Sequence, residues 1–227
     1  MAHRSRDLGL AAERLDEITR RLRAECPWDR EQDERSIVPH TVEEAYELAD
    51  AANSGDDAKL LDELADVLFQ VFFLSLLLEE RGRGDLIGVA DHCREKLIRR
   101  HPHVFGDARA ESAADVLRNW DHIKREDERG GEVFGELPET LPATLYARKV
   151  QRRAAGAGAG EDHAGSLRDA EHRLTAAEGR DERFEAAGDL LLAAVAAVGE
   201  AGVDPELTLR AAADRFRQRV ERAQIAE

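Results

Sequence analysis

Apolar residues recur at helical spacing across residues 57–81, and no other stretch of the sequence constrains the fold as strongly. They cover a wide face of one helix: Leu60, Leu61, Leu64, Val67, Leu68, Val71, Phe72 and Leu78. The most apolar part, residues 67–78, is 12 residues long and contains Gln70 and Ser75. Because it is too short to span a bilayer, it predicts a buried helix in a soluble protein.

Residue usage extends this prediction to an all-α fold, a helical bundle. Aromatic residues make up only 5% of the chain, and the strong helix formers Ala, Leu, Glu and Arg dominate it. The stretch 26–29 (Cys-Pro-Trp-Asp) predicts a loop because proline interrupts a helix from within. Thr41 is predicted to cap the next helix, with Glu44 completing a capping box. Helices are predicted near 7–23, 41–53, 57–81, 85–100, 112–128, 142–154, 166–178, 182–199 and 205–222.

Charge and cysteine content limit the partners. The formal net charge of −15 argues against a nucleic-acid polymer or an anionic membrane as partner. A polyphosphate substrate stays open because a bound divalent cation inverts the local field. Cys26 and Cys93 are expected to be free thiols, and residues 1–7 lack the apolar segment of a secretory signal. We therefore expect a cytoplasmic protein.

Two acidic motifs lie on consecutive predicted helices: Glu43-Glu44-Ala-Tyr-Glu47 and Asp62-Glu63-Leu-Ala-Asp66. Residues three apart share a helix face, so two antiparallel helices would bring four carboxylates together. Such hard oxygen ligands suit Mg²⁺ or Mn²⁺. Each pair alone is equally typical of a solvated acidic face, and Glu44 could serve only the capping box. The apolar helix beside Glu63 and Asp66, with Lys59 as the one cation within a turn, favours a metal ion.

These motifs resemble the signature of the MazG nucleotide pyrophosphohydrolases, within the all-α NTP pyrophosphatases. Further segments resemble the same family in the expected order: Cys26-Pro-Trp-Asp29 with Gln32, Lys96-Leu-Ile-Arg99-Arg100-His101-Pro-His103-Val-Phe105, Trp120-x-x-Ile-Lys124, and Arg148-Lys149-Val-Gln-Arg152-Arg153. They span residues 15–153, which makes the resemblance much more specific than the acidic motif alone.

The resemblance implies an α-helical homodimer that hydrolyses nucleoside triphosphates, including non-standard ones, to monophosphate and diphosphate. It implies Mg²⁺ (or Mn²⁺) held by Glu44, Glu47, Glu63 and Asp66, with Glu43 as a nearby carboxylate that either supports the ligands from outside or helps to activate water. Cations suited to the phosphates are Lys96, Arg99, Arg100 and Lys124, although each alone is equally typical of a surface charge. Trp28 is a candidate for stacking on the base or for packing the Pro27 loop.

The second half departs from the family pattern. Residues 186–189 (Ala-Ala-Gly-Asp) resemble 63–66 (Glu-Leu-Ala-Asp), but Ala186 stands where Glu63 supplies a ligand. We therefore expect two repeats, the second degenerate. The predicted organisation is a catalytic domain at 1–153, an Ala/Gly-rich linker at 154–165 and the degenerate repeat at 166–227.

Two other functions fit parts of the sequence. The first is a dUTP/dCTP-type or phosphoribosyl-ATP pyrophosphohydrolase of the same superfamily, although the segments at 26–29 and 101–105 argue against both. The second is a non-catalytic helical interaction protein, which leaves the cations at 96–100 unexplained. A substrate panel separates the first from the proposed activity, and metal chelation separates the second.

Overall fold

The prediction of an all-α chain is confirmed. The computed structural model describes residues 2–112, 115–116, 119–120, 122–124, 132–159 and 163–225, and these contain helices and no strand. The helices are α1 (Ala2–Glu25), α2 (Pro27–Glu31), α3 (Glu34–Ser54), α4 (Asp57–Glu80), α5 (Leu86–Arg100), α6 (Pro102–Phe105), α7 (Ala143–Gly156), α8 (His163–Ala176), α9 (Arg180–Glu200) and α10 (Pro205–Ile225). The helix predicted at 112–128 falls partly outside the described residues.

The chain divides into two compact units, Met1–Ile98 and Arg99–Glu227. The predicted domains 1–153 and 166–227 stay a prediction, and the first residues of the predicted linker are helical because α7 extends to Gly156. No single helix among the described residues is long and apolar enough to cross a membrane. Within that part of the chain, only α9 and α10 taken together are long and apolar enough, and the chain bends by 102° between them.

Helices α3 and α4 form a hairpin whose ends are capped by the sequence. The Asp33 side chain accepts hydrogen bonds from the backbone N–H groups of Arg35 and Ser36, which begins α3. Gly55 ends it in the left-handed conformation, with φ of 69°. Asp56 then caps α4 by accepting from the backbone N–H groups of Ala58 and Lys59.

Two of the predicted boundaries are wrong. Helix α3 begins at Glu34, so Thr41 lies inside it and not at its N-cap. The Asp33 capping box nucleates the helix early enough to carry Pro39 within it. The predicted loop at 26–29 contains the start of α2, because Pro27 occupies the first helical turn, where proline is tolerated.

The core of the first unit forms where α3 meets the apolar face of α4. Phe73, Ile37 and Leu77 are at most 3% exposed, and Phe69 and Leu74 pack against them. Full burial of each such side chain contributes about 1.5–3 kcal/mol. Arg23 fastens the α2 turn to this core. Its guanidinium donates to the backbone carbonyls of Asp29 and Gln32 and to the Glu80 carboxylate.

In the second unit, α8 packs along α9, and α7 packs against α9 and α10. The buried guanidinium of Arg153 donates to the backbone carbonyls of Phe134 and Glu136, which holds that segment against α7. Arg148 pairs with Asp204, and Thr144 donates to Glu206, so α7 is tied to the start of α10.

Candidate metal centre

The α3–α4 hairpin brings three of the four predicted ligands together. One carboxylate oxygen from each of Glu44, Glu63 and Asp66 lies within 4.8 Å of the other two. Their register is fixed one turn away, where the Thr41 hydroxyl donates to Gln70 Oε1 at 3.3 Å. Three convergent carboxylate oxygens are a ligand set that suits a hard divalent cation.

Burial makes this cluster unlike a solvated acidic face. Glu44 and Glu63 are half-buried, while Asp66 is exposed. The Oε2 atom of Glu63 is fully buried and accepts no hydrogen bond from the described residues. Since a buried acceptor of this kind normally has a partner, a cation ligated by Glu63 fits the site.

Electrostatic repulsion acts on the same carboxylates. Burial first, and then the charges of Asp66 and Glu47, raise the pKa of Glu44 above its ordinary value. Burial, followed by the charges of Glu47 and Asp66, also raises the pKa of Glu63, and Lys59 opposes this only weakly. Both side chains are therefore harder to ionise than an ordinary glutamate, and a bound cation would stabilise their charged forms.

These raised pKa values predict how the stability of the metal-free chain depends on pH. Between the ordinary and the raised pKa, the folded chain binds more protons than the unfolded chain, so stability falls as pH rises. We expect the unfolding midpoint of metal-free wild type to fall relative to that of Glu44→Gln/Glu63→Gln as the pH rises above the ordinary glutamate pKa, about 4.3. Thermal melts in a chelator measure this. A pH-independent difference between the two proteins would contradict the raised pKa values of Glu44 and Glu63.

The other two predicted acidic residues lie beside this cluster. Glu47 is not among the three converging oxygens, but its charge raises the pKa values of both Glu44 and Glu63. The Glu43 side chain is 69% exposed, and its Oε2 lies 3.3 Å from Nδ1 of His40. Glu43 is thus placed next to a candidate ligand and points to solvent.

Trp28 lies in α2 and is about half exposed. Its ring meets the His40 ring edge-on, with 5.7 Å between the centroids. His40 precedes Glu44 by four residues in α3 and so lies on the same helix face, one turn away. An accessible aromatic pair thus adjoins the acidic cluster.

The predicted phosphate-binding cations fall into two groups. Lys96 lies on α5 in the first unit and lines an open groove with Arg83, His92 and Cys93. In the second unit, the Arg100 guanidinium and the Lys124 ammonium each lie 5.7 Å from the centre of the Trp120 ring. Arg100 is buried and Arg99 is exposed.

Lys124 stands in a strongly basic environment. Burial first, and then the charges of Arg100, Arg152, Lys149 and Arg153, lower its pKa. Cations held this close in a chain of net charge −15 form a site suited to a polyanion.

Three contacts near the cluster were missed from the sequence. His40 lies just before the predicted start of the helix at 41–53, and nothing in its spacing marks it as a partner of Trp28. Arg23 is one of several arginines in α1, so nothing in the sequence distinguishes it as the one that binds the backbone carbonyls of Asp29 and Gln32. Gln70 did carry a signal: a lone amide in the most apolar stretch needs a partner, and Thr41 supplies it.

Comparison with known proteins decides the family. A family model for the MazG nucleotide pyrophosphohydrolase domain matches residues 32–105. A nucleoside triphosphate pyrophosphohydrolase of Escherichia coli K12 is 36% identical over 222 residues, which cover 91% of this chain and 84% of the relative. The chain belongs to the MazG family. A second relative, the Thermotoga maritima nucleoside triphosphate pyrophosphohydrolase/pyrophosphatase MazG, is 36% identical over 94% of this chain and 86% of its own length.

The MazG-family match at 32–105 contains all the candidate acidic residues, together with Lys96, Arg99 and Arg100. Trp28 and Lys124 lie outside it. A nucleoside triphosphate pyrophosphohydrolase of Mycobacterium tuberculosis is 34% identical over 140 residues, or 61% of this chain and 43% of the relative.

Proposed function

We propose that the protein hydrolyses nucleoside triphosphates to nucleoside monophosphate and diphosphate with a divalent cation, Mg²⁺ or Mn²⁺, held by its acidic cluster. The observation that carries this is the convergence of one carboxylate oxygen from each of Glu44, Glu63 and Asp66, beside the buried Oε2 of Glu63 that accepts no hydrogen bond from the described residues. Family membership and the names of two relatives, which the chain matches over 84% and 86% of their length, support the reaction.

The donor set fits such an ion. Three carboxylates supply hard oxygen ligands, and we assign Glu47 as a further ligand or as a carboxylate that orients water at the same site. When bound, the ion neutralises phosphate charge and acts as a Lewis acid on phosphate oxygens. Glu43 is the exposed carboxylate next to this group, so we assign it to accept a proton from the attacking water.

The basic residues are the second part of this proposal. We propose that Lys96, Arg99, Arg100 and Lys124 contact the triphosphate and stabilise the charge that develops on the leaving diphosphate. The support is their concentration in an otherwise acidic chain, and the shared position of Arg100 and Lys124 on the face of Trp120. The Trp120 ring holds these two cations in place.

The nucleobase needs an apolar surface near the phosphates, and we propose that Trp28 provides it with His40. The Trp28 side chain is 51% exposed, whereas Phe72 and Phe73 of the same unit are buried. Stacking on an indole tolerates any base, which fits a broad substrate range. Unchanged KM values for all nucleotides in Trp28→Ala would contradict this assignment.

We also propose that the protein is a cytoplasmic homodimer. The α4 residues Leu61, Leu64, Leu68 and Val71 form an apolar stripe that is 40–72% exposed, and a second copy is the occupant we assign to it. Both cysteines are free, which suits a reducing compartment. The net charge of −15 disfavours a nucleic-acid or membrane partner. A stable monomer in sedimentation would reject the dimer.

Metal removal tests the proposal directly. We expect chelation to abolish nucleotide hydrolysis, and addition of Mg²⁺ or Mn²⁺ to restore it, because the carboxylates cannot bind a polyphosphate without a compensating cation. A panel of common NTPs and dNTPs, with dUTP and dCTP included, is the appropriate assay. Hydrolysis that persists in the chelator would reject the metal site, and turnover of dUTP or dCTP alone would favour the narrower enzyme.

A further inference from the structure

The helix pair α8–α9 of the second unit repeats part of the burial pattern of α3–α4 in the first. The match extends to Phe73 of α4; beyond it Ser75, Leu76 and Leu77 are buried, whereas residues 198–200 are not. Along the second helix of each pair, three buried positions recur at a constant shift of 123 residues. They are Gln70, Phe72 and Phe73 in α4 and Ala193, Val195 and Ala196 in α9, all at most 8% exposed. The same shift pairs Asp66 with Asp189.

Along the first helix of each pair the shift is 126 residues. The half-buried Leu48 corresponds to the half-buried Leu174, and Ala51, 5% exposed, corresponds to Ala177, which is 6% exposed and directly follows the last residue of α8. The two shifts differ by three residues because the first helix of the second pair is about one turn shorter before the connection.

This register assigns a counterpart to each candidate metal ligand. Glu44 corresponds to Ala170, which is 1% exposed, and Glu63 corresponds to Ala186, which is 6% exposed. Methyl groups therefore fill two of the places where the first pair has carboxylates. The remaining counterparts are Arg173 for Glu47 and Asp189 for Asp66.

The retained carboxylate has a cation of its own. Nη2 of Arg173 donates to Oδ2 of Asp189 at 3.1 Å. The four positions of the first pair are all acidic and carry a formal charge of −4, whereas their four counterparts sum to zero. These four counterparts have no net charge, and their one carboxylate is already paired with a guanidinium. They therefore do not attract a divalent ion.

We propose that α8–α9 is a self-neutralised copy of the metal centre in which the Arg173 guanidinium takes the place of the ion. Each chain then holds divalent cations at the α3–α4 site alone. The second helix pair packs without metal. A chelator should therefore affect the first unit and leave the second unchanged. The inference rests on the proposed metal site of the first pair.

Hydrogen exchange of wild type with and without Mn²⁺ is the first test, since it uses the chain as it exists. We expect Mn²⁺ to slow exchange of the backbone amides of α3 and α4 and to leave those of α8 and α9 unchanged. Protection gained in α8 and α9 at the same Mn²⁺ concentration would overturn the proposal.

Rebuilding the site is the second test. In a Glu44→Gln/Glu63→Gln background, Mn²⁺ affinity measured by electron paramagnetic resonance should fall by about 100-fold or more. Adding Ala170→Glu, Arg173→Glu and Ala186→Glu should restore tight Mn²⁺ binding. The matched control makes the same residue changes at exposed positions outside the register: Arg168→Glu, Ala176→Glu and Ala213→Glu.

The outcomes separate this inference from the proposed function. Tight Mn²⁺ binding that survives in the Glu44→Gln/Glu63→Gln background and is lost on adding Asp189→Asn would overturn the inference alone. A folded rebuilt variant that binds Mn²⁺ no better than the control would also overturn it. Wild type that binds no Mn²⁺ at either pair would reject the proposed metal function itself. Exchange in wild type stands as the test if the rebuilt variant does not fold.

Discussion

Replacing Glu63 by Gln is expected to lower kcat/KM for nucleoside triphosphates by on the order of 10³-fold. Glu63 belongs to the acidic cluster and carries a buried oxygen that accepts no hydrogen bond from the described residues, and the amide keeps its size while removing the charge that would hold the ion. Steady-state kinetics with saturating Mg²⁺ measure the loss. The metal-free variant should fold at least as well as wild type, because it no longer contains a repelled carboxylate.

The matched control is Asp62→Asn, which removes an exposed carboxylate from the neighbouring position of the same helix. We expect it to keep kcat/KM within a few-fold of wild type, about the change expected of a surface charge. A Glu63→Gln variant as active as Asp62→Asn would show that Glu63 is not part of the metal centre, and its buried oxygen would then have no explanation.

Replacing Lys124 by Met is expected to lower kcat/KM by on the order of 10²-fold. Lys124 is held on Trp120 beside Arg100, and burial with the neighbouring cations lowers its pKa. A polyanion at this site favours the charged ammonium, so substrate binding should raise that pKa again. Methionine keeps the apolar stem over the ring and removes only the charge.

Arg94→Gln serves as the control for Lys124→Met. Arg94 is an exposed α5 cation paired with Asp91 and Glu95, and its loss should leave kcat/KM nearly unchanged. If both variants lose activity equally, the effect reports net charge, and the Trp120 cluster has no particular role. If Lys124→Met alone is impaired, the loss belongs to the cluster, and repeating the comparison at several salt concentrations should preserve most of the difference.

Much of the acidic cluster could be predicted from the sequence because helical periodicity is a local property. Glu63 and Asp66 are three residues apart in a helix whose apolar face is unambiguous, so their shared direction follows directly. Glu44 was predicted to share their site even though its helix start was misplaced by seven residues. Moving the start of a helix does not change which face a residue lies on, so the predicted position of Glu44 was unaffected.

The features that the sequence did not supply depend on contacts between separate elements. Asp33 and Thr41 are both acceptable N-caps by residue type, and the packing of α3 along α4 favours the longer helix that the Asp33 capping box begins. The partnership of Trp28 with His40 joins two helices that local patterns treat independently. The correspondence of Arg173 with Glu47 is hidden because a one-turn shortening breaks the alignment of the two pairs, and the burial pattern recovers it.

The measurement that tests the central claim most directly is identification of the products formed from one nucleoside triphosphate, with and without Mg²⁺, by wild type and Glu63→Gln. The account predicts monophosphate and diphosphate in equal amounts from wild type with Mg²⁺, and neither product from wild type in chelator or from the variant. Nucleoside diphosphate with orthophosphate would show that a different bond is cleaved. Equal turnover by both proteins would show that the acidic cluster is not the active site.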